Sequence, residues 1–89
     1  MLKIEFNEPQ RIPIGFKKVW NKADGVYHKV EIFENTDVIF ATWVNRDERK
    51  NVIIRTIKGL LFSYNSIKGN RIKSILPFNE NQTKQFKIV

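Results

Sequence analysis

With 89 residues, 42% of them hydrophobic, the chain is long enough to bury one core and too short for two domains, so we expect a single domain over residues 1–89. It has no cysteine, no secretory leader and no stretch as long as a membrane span, which excludes disulfides and thiolate chemistry and predicts a cytoplasmic protein without membrane association. Its net charge of +7 favours as partner either nucleic acid, DNA or RNA, or a protein that is acidic or that normally binds nucleic acid.

Turn signals divide the chain into a series of short strands. Asp24-Gly25 is a hairpin signal between two apolar runs, because glycine adopts positive φ without steric cost. The polar residues 34–37 form the next expected turn, and further polar or glycine-containing segments follow. The expected strands cover residues 16–21, 26–33, 38–44, 52–57, 60–67, 71–76 and 84–89.

The strand expected after the Asp24-Gly25 turn shows the two-residue alternation of a half-buried strand. Val26 and Val30 fall on one face, whereas Tyr27 and Lys29 fall on the other. His28, the single histidine, shares the face of the valines. We therefore interpret His28 as a half-buried structural residue rather than a catalytic base or a metal ligand.

The spacing of the strands predicts an all-β fold, a small antiparallel barrel or sandwich of about 6–8 short strands. The alternative is an α+β fold with one helix near residues 46–68, because Ile53, Ile57 and Tyr64 also fall at helical spacing. The β-branched residues of that segment and its interior Gly59 oppose a helix. The choice between the two folds depends on this segment.

Residue types that support catalysis are scarce. Asp37 followed by Glu48-x-Lys50 matches the loose pattern of metal-dependent nucleases, in which two carboxylates hold Mg²⁺ and a lysine stabilises the developing charge. Glu48 and Lys50, however, lie in a polar run typical of a solvated loop. We expect a protein that is not an enzyme and has no metal or cofactor, with a nuclease as the most distant alternative.

The positive charge is concentrated in the second half of the chain. Residues 1–48 carry 7 Lys/Arg and 8 Asp/Glu, a net charge of −1, whereas residues 49–89 carry 9 Lys/Arg and one acid, a net charge of +8. Lysine and arginine neutralise phosphates, and exposed aromatic rings stack on bases. The predicted nucleic-acid-binding residues are Arg55, Lys58, Lys68, Arg71, Lys73, Lys84 and Lys87, with Trp20 and Tyr27 as aromatic candidates.

Two details of this prediction concern side-chain direction. Arg71 and Lys73 are two residues apart and are expected on the same face of one strand. The four Trp and Tyr residues each favour a place in the core, most strongly Trp43 and then Tyr64, and least strongly the pair that flanks the Asp24-Gly25 turn. Trp20 and Tyr27 are therefore the aromatic residues best suited to an interface.

The preferred hypothesis is a small non-catalytic domain that binds nucleic acid mainly by phosphate contacts through its basic C-terminal half. The alternative is a protein-binding inhibitor or adaptor from a phage or mobile element. Lys, Asn, Ile and Phe make up 39 of the 89 residues and Ala only 2, a composition typical of an AT-rich genome. A third interpretation is that the basic residues only keep a small protein soluble.

Overall fold

The computed structural model describes residues 1–78, which form one antiparallel sheet of five strands and no helix. Because all the regular structure is β, the prediction of an all-β fold is confirmed. The strands follow each other in the sheet in the order β4-β3-β2-β1-β5. Their bounds are β1 Leu2–Asn21, β2 Val26–Arg46, β3 Asn51–Thr56, β4 Leu61–Asn65 and β5 Ile72–Pro77.

The segment that also fitted a helix forms β3 and β4, so the α+β alternative is wrong. Val52 and Ile54 are buried while Arg55 is exposed, which is the alternation of a strand with one face in the core. β-branched side chains lose rotamer freedom in a helix but pack well on a pleated sheet. Gly59, with φ of 83°, lies in the turn that joins the two strands.

The five described strands are fewer than expected because predicted strands merge. Residues 34–37 are not a turn: residues 33–36 continue β2 and pair with residues 10–13 of β1. Backbone hydrogen bonds to β1 satisfy the polar main chain of this segment, which removes the need for a turn. The strand expected at residues 84–89 lies outside the described residues.

The sheet curls on itself but is not closed into a barrel. Its two edge strands, β4 and β5, are not hydrogen-bonded to each other. Aromatic contacts cross the interior instead, with the ring centroids of Phe6 and Phe62 5.7 Å apart. The Tyr64 hydroxyl donates a hydrogen bond to Oδ1 of Asn70 over 2.7 Å, which ties β4 to the segment before β5.

One face of the curled sheet holds the core. Tyr64 is 7% exposed, as expected, but Trp43 is 38% exposed and lies outside it. The reason is a register shift between Ala41 and Trp43, which turns Trp43 to the outer face opposite Arg55. The core residues are Ile4, Phe6, Ile12, Ile39, Ala41, Val52, Ile54, Phe62, Tyr64 and Ile72.

Residues 15–32, which we call the arm, project from this sheet as a two-stranded hairpin. Within the described chain β3 contacts β2 only along residues 41–46, and β5 contacts β1 only along residues 2–6, so neither strand flanks the arm. The tip is the Asp24-Gly25 turn, where Gly25 has φ of 68° and its N–H donates to the Asn21 carbonyl over 2.9 Å. The predicted hairpin is confirmed, and its side chains point to solvent on both faces.

Candidate nucleic-acid interface

The pairing of the two strands sorts the arm's side chains into two faces. Residues directly opposite each other in an antiparallel pair share a face, and the face changes with each residue along the strand. Trp20 is opposite Tyr27 and Lys18 is opposite Lys29, and these two pairs are separated by two residues along each strand. The face that we call the cationic-aromatic face consists of Phe16, Lys18, Trp20, Tyr27, Lys29 and Glu31.

The aromatic rings of this face are ordered by contacts with their neighbours and remain accessible. Trp20 and Tyr27 pack edge to face, with centroids 5.0 Å apart and ring planes at 67°. The Lys29 Nζ lies 4.4 Å from the centroid of the Phe16 ring, a cation–π contact. Phe16, Trp20 and Tyr27 are nevertheless 47%, 50% and 65% exposed, so each ring can still pack against a ligand.

The two lysines of this face share it with one acid, Glu31, but within residues 1–78 neither lies at ion-pair distance from a carboxylate. Lys18 and Lys29 are directly opposite each other, and like charges in that arrangement destabilise a hairpin. Within residues 1–78, Lys73 is the only lysine or arginine whose side chain lies at ion-pair distance from a carboxylate. An anion bound between Lys18 and Lys29 would remove their repulsion.

The opposite face of the arm has a different character. Val19, Val26, Val30 and Ile32 form an aliphatic row, which we call the aliphatic face, together with Lys17 and His28. His28 does share the side of the valines, but it is exposed rather than half-buried, because no element of residues 1–78 covers the arm. Its imidazole contacts the carboxylate of Asp24 at the tip.

Two of the predicted second-half residues, Lys58 and Arg55, lie on the sheet outside the arm. Lys58 lines a depression together with Ile14 and Glu34 at the base of the arm. Arg55 lies on the outer face of the sheet, where its guanidinium carbon is 5.5 Å from the centroid of the Trp43 ring. Neither side chain belongs to the cationic-aromatic face.

Lys68 and Arg71 lie together, away from the arm, along an open depression of about 570 Å³ beside β4. The guanidinium of Arg71 covers the Tyr64 ring at 5.0 Å and donates to Oε1 of Gln10 over 3.2 Å. The contacts hold Arg71 against the protein. They leave Lys68 as the more accessible charge of the two.

Lys73 contacts different groups from Arg71, which lies before β5 rather than in it. Its ammonium lies 3.9 Å from the Glu5 carboxylate, whereas Arg71 contacts Tyr64 on the core side. The register of β5 against β1 shifts between Glu5 and Phe6, and this bulge breaks the simple alternation. Lys84 and Lys87 lie outside the described residues, so the structure brings the predicted basic residues to several separate places.

The carboxylates of the nuclease pattern are not brought together. Asp37 lies in the middle of β2, whereas Glu48 and Lys50 lie in the turn that follows β2. No group of three His, Asp or Glu side chains that could hold a metal ion occurs within residues 1–78. The residues of the nuclease pattern thus lie in different parts of the described sheet.

Asp47 in that turn has a structural role. Its Oδ1 accepts the backbone N–H groups of Arg49 and Asn51 over 2.9 Å each, and its Oδ2 accepts the Asn51 side-chain amide over 3.0 Å. The Asn51 side chain first, and then the backbone N–H groups of Asn51 and Arg49, hold the pKa of Asp47 below its ordinary value. This carboxylate is engaged in closing the turn.

Sequence reasoning did not single out Phe16, Lys18 and Lys29, which the structure brings to one face with Trp20 and Tyr27. The averaged charge of residues 1–48 is negative, which conceals that the arm carries four lysines and two acids. The alternation of residues 26–33 already separated Tyr27 and Lys29 from the valines. The missing information was the cross-strand register, which places Lys18 opposite Lys29.

Comparison with models of known protein families, with curated proteins and with solved structures finds no match for this chain. The described residues contain no helix that could cross a membrane. A functional interpretation therefore depends on the chemistry of the surfaces themselves.

Proposed function

We propose that this protein binds nucleic acid without base specificity through the cationic-aromatic face of its arm. One observation carries the proposal: Lys18 and Lys29 are paired across the hairpin, between exposed aromatic rings, on a ribbon that projects from the sheet. Phosphates supply the anions that such a pair requires, and bases supply flat rings for the aromatic side chains.

The chemistry of the face favours affinity over sequence discrimination. Lysine is a flexible point charge, in contrast to the bidentate fork of arginine that reads guanine. The face contains lysines but no arginine, asparagine or glutamine. Phosphate contacts and stacking without hydrogen bonds to base edges give binding that depends little on sequence.

The proposal moves the main interface from the second half of the chain to the first. Lys58 is the second-half residue best situated to extend the interface. It lies at the base of the arm, where it lines a depression with Ile14, the residue of β1 that precedes the arm. Lys68 and Arg71 lie elsewhere and add long-range attraction rather than direct contacts. Trp20 and Tyr27 keep the role expected from the sequence.

Charge reversal on the arm tests the proposal. Lys18→Glu combined with Lys29→Glu should weaken binding to a fluorescent oligonucleotide at least about tenfold, equally for different sequences, because two phosphate contacts become repulsive. Fluorescence anisotropy at fixed salt measures the effect.

Two single variants with the same type of charge change serve as controls. Lys17→Glu reverses the neighbouring residue on the aliphatic face, and Lys3→Glu reverses an exposed charge on the sheet. Each should change affinity less than about threefold, the effect of net charge alone. If Lys3→Glu weakens binding as much as the combined Lys18→Glu and Lys29→Glu variant does, the arm is not the interface.

The aliphatic face favours a second candidate function, the binding of a protein partner. Val19, Val26 and Val30 are 39%, 50% and 39% exposed on a hairpin that no third strand covers within residues 1–78. A pull-down from nuclease-treated lysate of a low-GC bacterium separates the two functions. A stoichiometric protein that is retained by the native chain and lost with Val19→Asp supports the second; loss of all partners after nuclease supports the first.

A further inference from the structure

We infer, resting on the proposed function, that the cationic-aromatic face takes single-stranded nucleic acid in preference to duplex. The face offers two kinds of contact in one row, aromatic rings and ammonium groups. A duplex can use only one of them. Its phosphates are accessible, but the flat faces of its bases are covered by the neighbouring base pairs.

The two aromatic positions of the cationic-aromatic face are spaced for bases that are several nucleotides apart. Phe16 and Trp20 lie four residues apart on one face of β1, about 13 Å at a rise of about 3.3–3.4 Å per residue. Consecutive stacked nucleotides of a strand advance only about 3.4 Å. A nucleic acid that stacks bases on both rings must therefore unstack them from their neighbours, which costs a single strand less than a duplex because no base pair is broken.

The aromatic and charged groups of the cationic-aromatic face follow each other in the order in which bases and phosphates follow each other along a nucleic-acid strand. The Lys18–Lys29 pair lies between the Phe16 ring and the Trp20–Tyr27 pair. Two bases stacked on these two aromatic positions would be joined through a stretch of backbone whose phosphates pass the lysines. The ligand would thus satisfy both the rings and the charged pair at once.

The orientation of the rings leaves room for such stacking. Trp20 and Tyr27 meet edge to face at 67°, so their contact involves one edge and one face and leaves further ring surface to solvent. An isolated two-stranded hairpin is at best marginally stable in water, and stacked bases would supply packing on the open face of the arm. Binding and ordering of the arm would then be coupled.

Tryptophan fluorescence tests the inference directly, since the chain has two Trp residues. In a Trp43→Phe background Trp20 is the only reporter. Titration with oligo(dT) or oligo(U) of about 12 nucleotides should quench its emission, whereas a dA·dT duplex of equal length should leave it unchanged. We expect about 100-fold tighter binding of either single strand than of the duplex at the same salt concentration, since each stacked base adds about tenfold.

Variants separate stacking from charge. Trp20→Ala and Tyr27→Ala should each weaken single-strand binding about tenfold and change duplex binding less than twofold, while Trp20→Phe should retain most of the affinity. Trp43→Ala is the matched control, because Trp43 is also exposed and next to a cation, Arg55, but lies outside the arm. It should leave both affinities unchanged.

The outcomes distinguish the inference from the function on which it rests. Equal affinities for single strand and duplex without quenching of Trp20 overturn the single-strand preference and leave nucleic-acid binding intact. Binding of neither ligand overturns the proposed function as well. Quenching by oligo(dT) alone, or by oligo(U) alone, supports the inference and assigns the strand as DNA or RNA.

Discussion

Asp47 shows how a single carboxylate closes the turn between β2 and β3. Both of its oxygens accept hydrogen bonds from residues of the turn, and these bonds lower the pKa of Asp47 in the folded protein. A lowered folded-state pKa means that the stabilisation is fully present above the unfolded pKa of about 3.8 and is lost as the pH falls through the folded value. The turn is therefore pH-sensitive only in the acid range.

Asp47→Asn should lower the Tm at pH 7, and the difference should shrink as the pH falls below about 3.8 and through the folded-state pKa, because the protonated aspartic acid and the amide are nearly equivalent. Thermal unfolding of both proteins between about pH 2 and pH 7 measures the difference in Tm. A difference that stays constant over this range would show that the charge of Asp47 contributes nothing.

Lys50 in the same turn has φ of 68°, a left-handed conformation that costs an L-residue about 1 kcal/mol and glycine almost nothing. Lys50→Gly should therefore stabilise the protein by about 0.5–1 kcal/mol in urea denaturation. Arg49→Gly is the control: its φ is not positive, so glycine should only add unfolded-state entropy and lower stability. Destabilisation by both substitutions would contradict the explanation from backbone strain.

We expect the arm to contribute to binding but little to the stability of the sheet. No core residue lies between residues 15 and 32, and the strands that pair with the rest of β1 and β2 do not reach it within the described chain. The sheet should consequently fold without the arm. The binding that we propose, by contrast, would require side chains of the arm.

Excision of the arm checks this separation. Residues 16–31 can be replaced with Asn-Gly between Gly15 and Ile32, which face each other across the hairpin and suit a two-residue turn. The stability in urea should change by about 1 kcal/mol or less, because no buried side chain is removed, and oligonucleotide binding should be lost. Loss of cooperative unfolding would show that the arm supports the core.

At the level of the complete chain, the net charge of +7 attracts any polyanion, but few of the cations can contact one ligand together. The candidates for joint contact are Lys18 and Lys29 on the cationic-aromatic face, Lys22 in the tip and Lys58 at the base of the arm. If the protein binds as proposed, charge elsewhere would accelerate association rather than add contacts. The number of contacts is measurable from the dependence of affinity on salt concentration.

For about four phosphate contacts, log K should fall with log[salt] at a slope of about −2.8 on single strands. Lys18→Glu with Lys29→Glu should reduce the magnitude of the slope by about 1.4, whereas Lys3→Glu should leave it nearly unchanged. Anisotropy titrations between about 50 and 200 mM salt provide the slopes. A flat salt response would rule out phosphate contacts as the source of affinity.

Much of the local structure was predictable from residue types. Asp24-Gly25 indicated the hairpin because glycine tolerates the left-handed φ that the turn needs, and the β-branched residues of 52–57 indicated a strand. The alternation around Tyr27 and Lys29 correctly separated the two faces of that strand. These are properties of short segments, and they require no knowledge of the partner strand.

The position of Trp43 and the continuity of residues 34–37 were not predictable in this way. A single extra residue in a bulge turns every later side chain to the other face, and a polar segment stays extended when a neighbouring strand satisfies its backbone. Both depend on which strands lie side by side. The separation of Arg71 from Lys73 has the same origin, the bulge between β5 and β1.

From the order of its residues alone, this protein could be predicted to be basic and mostly β, with a hairpin at Asp24-Gly25, while a helix near residues 46–68 stayed an alternative. The pairing of β1 with β2 was needed to see that the hairpin extends beyond the sheet and sets Lys18 against Lys29 between aromatic rings. Composition and alternation describe one strand at a time. A face of the hairpin consists of side chains from two strands, and the register between those strands is set by long-range hydrogen bonds and packing.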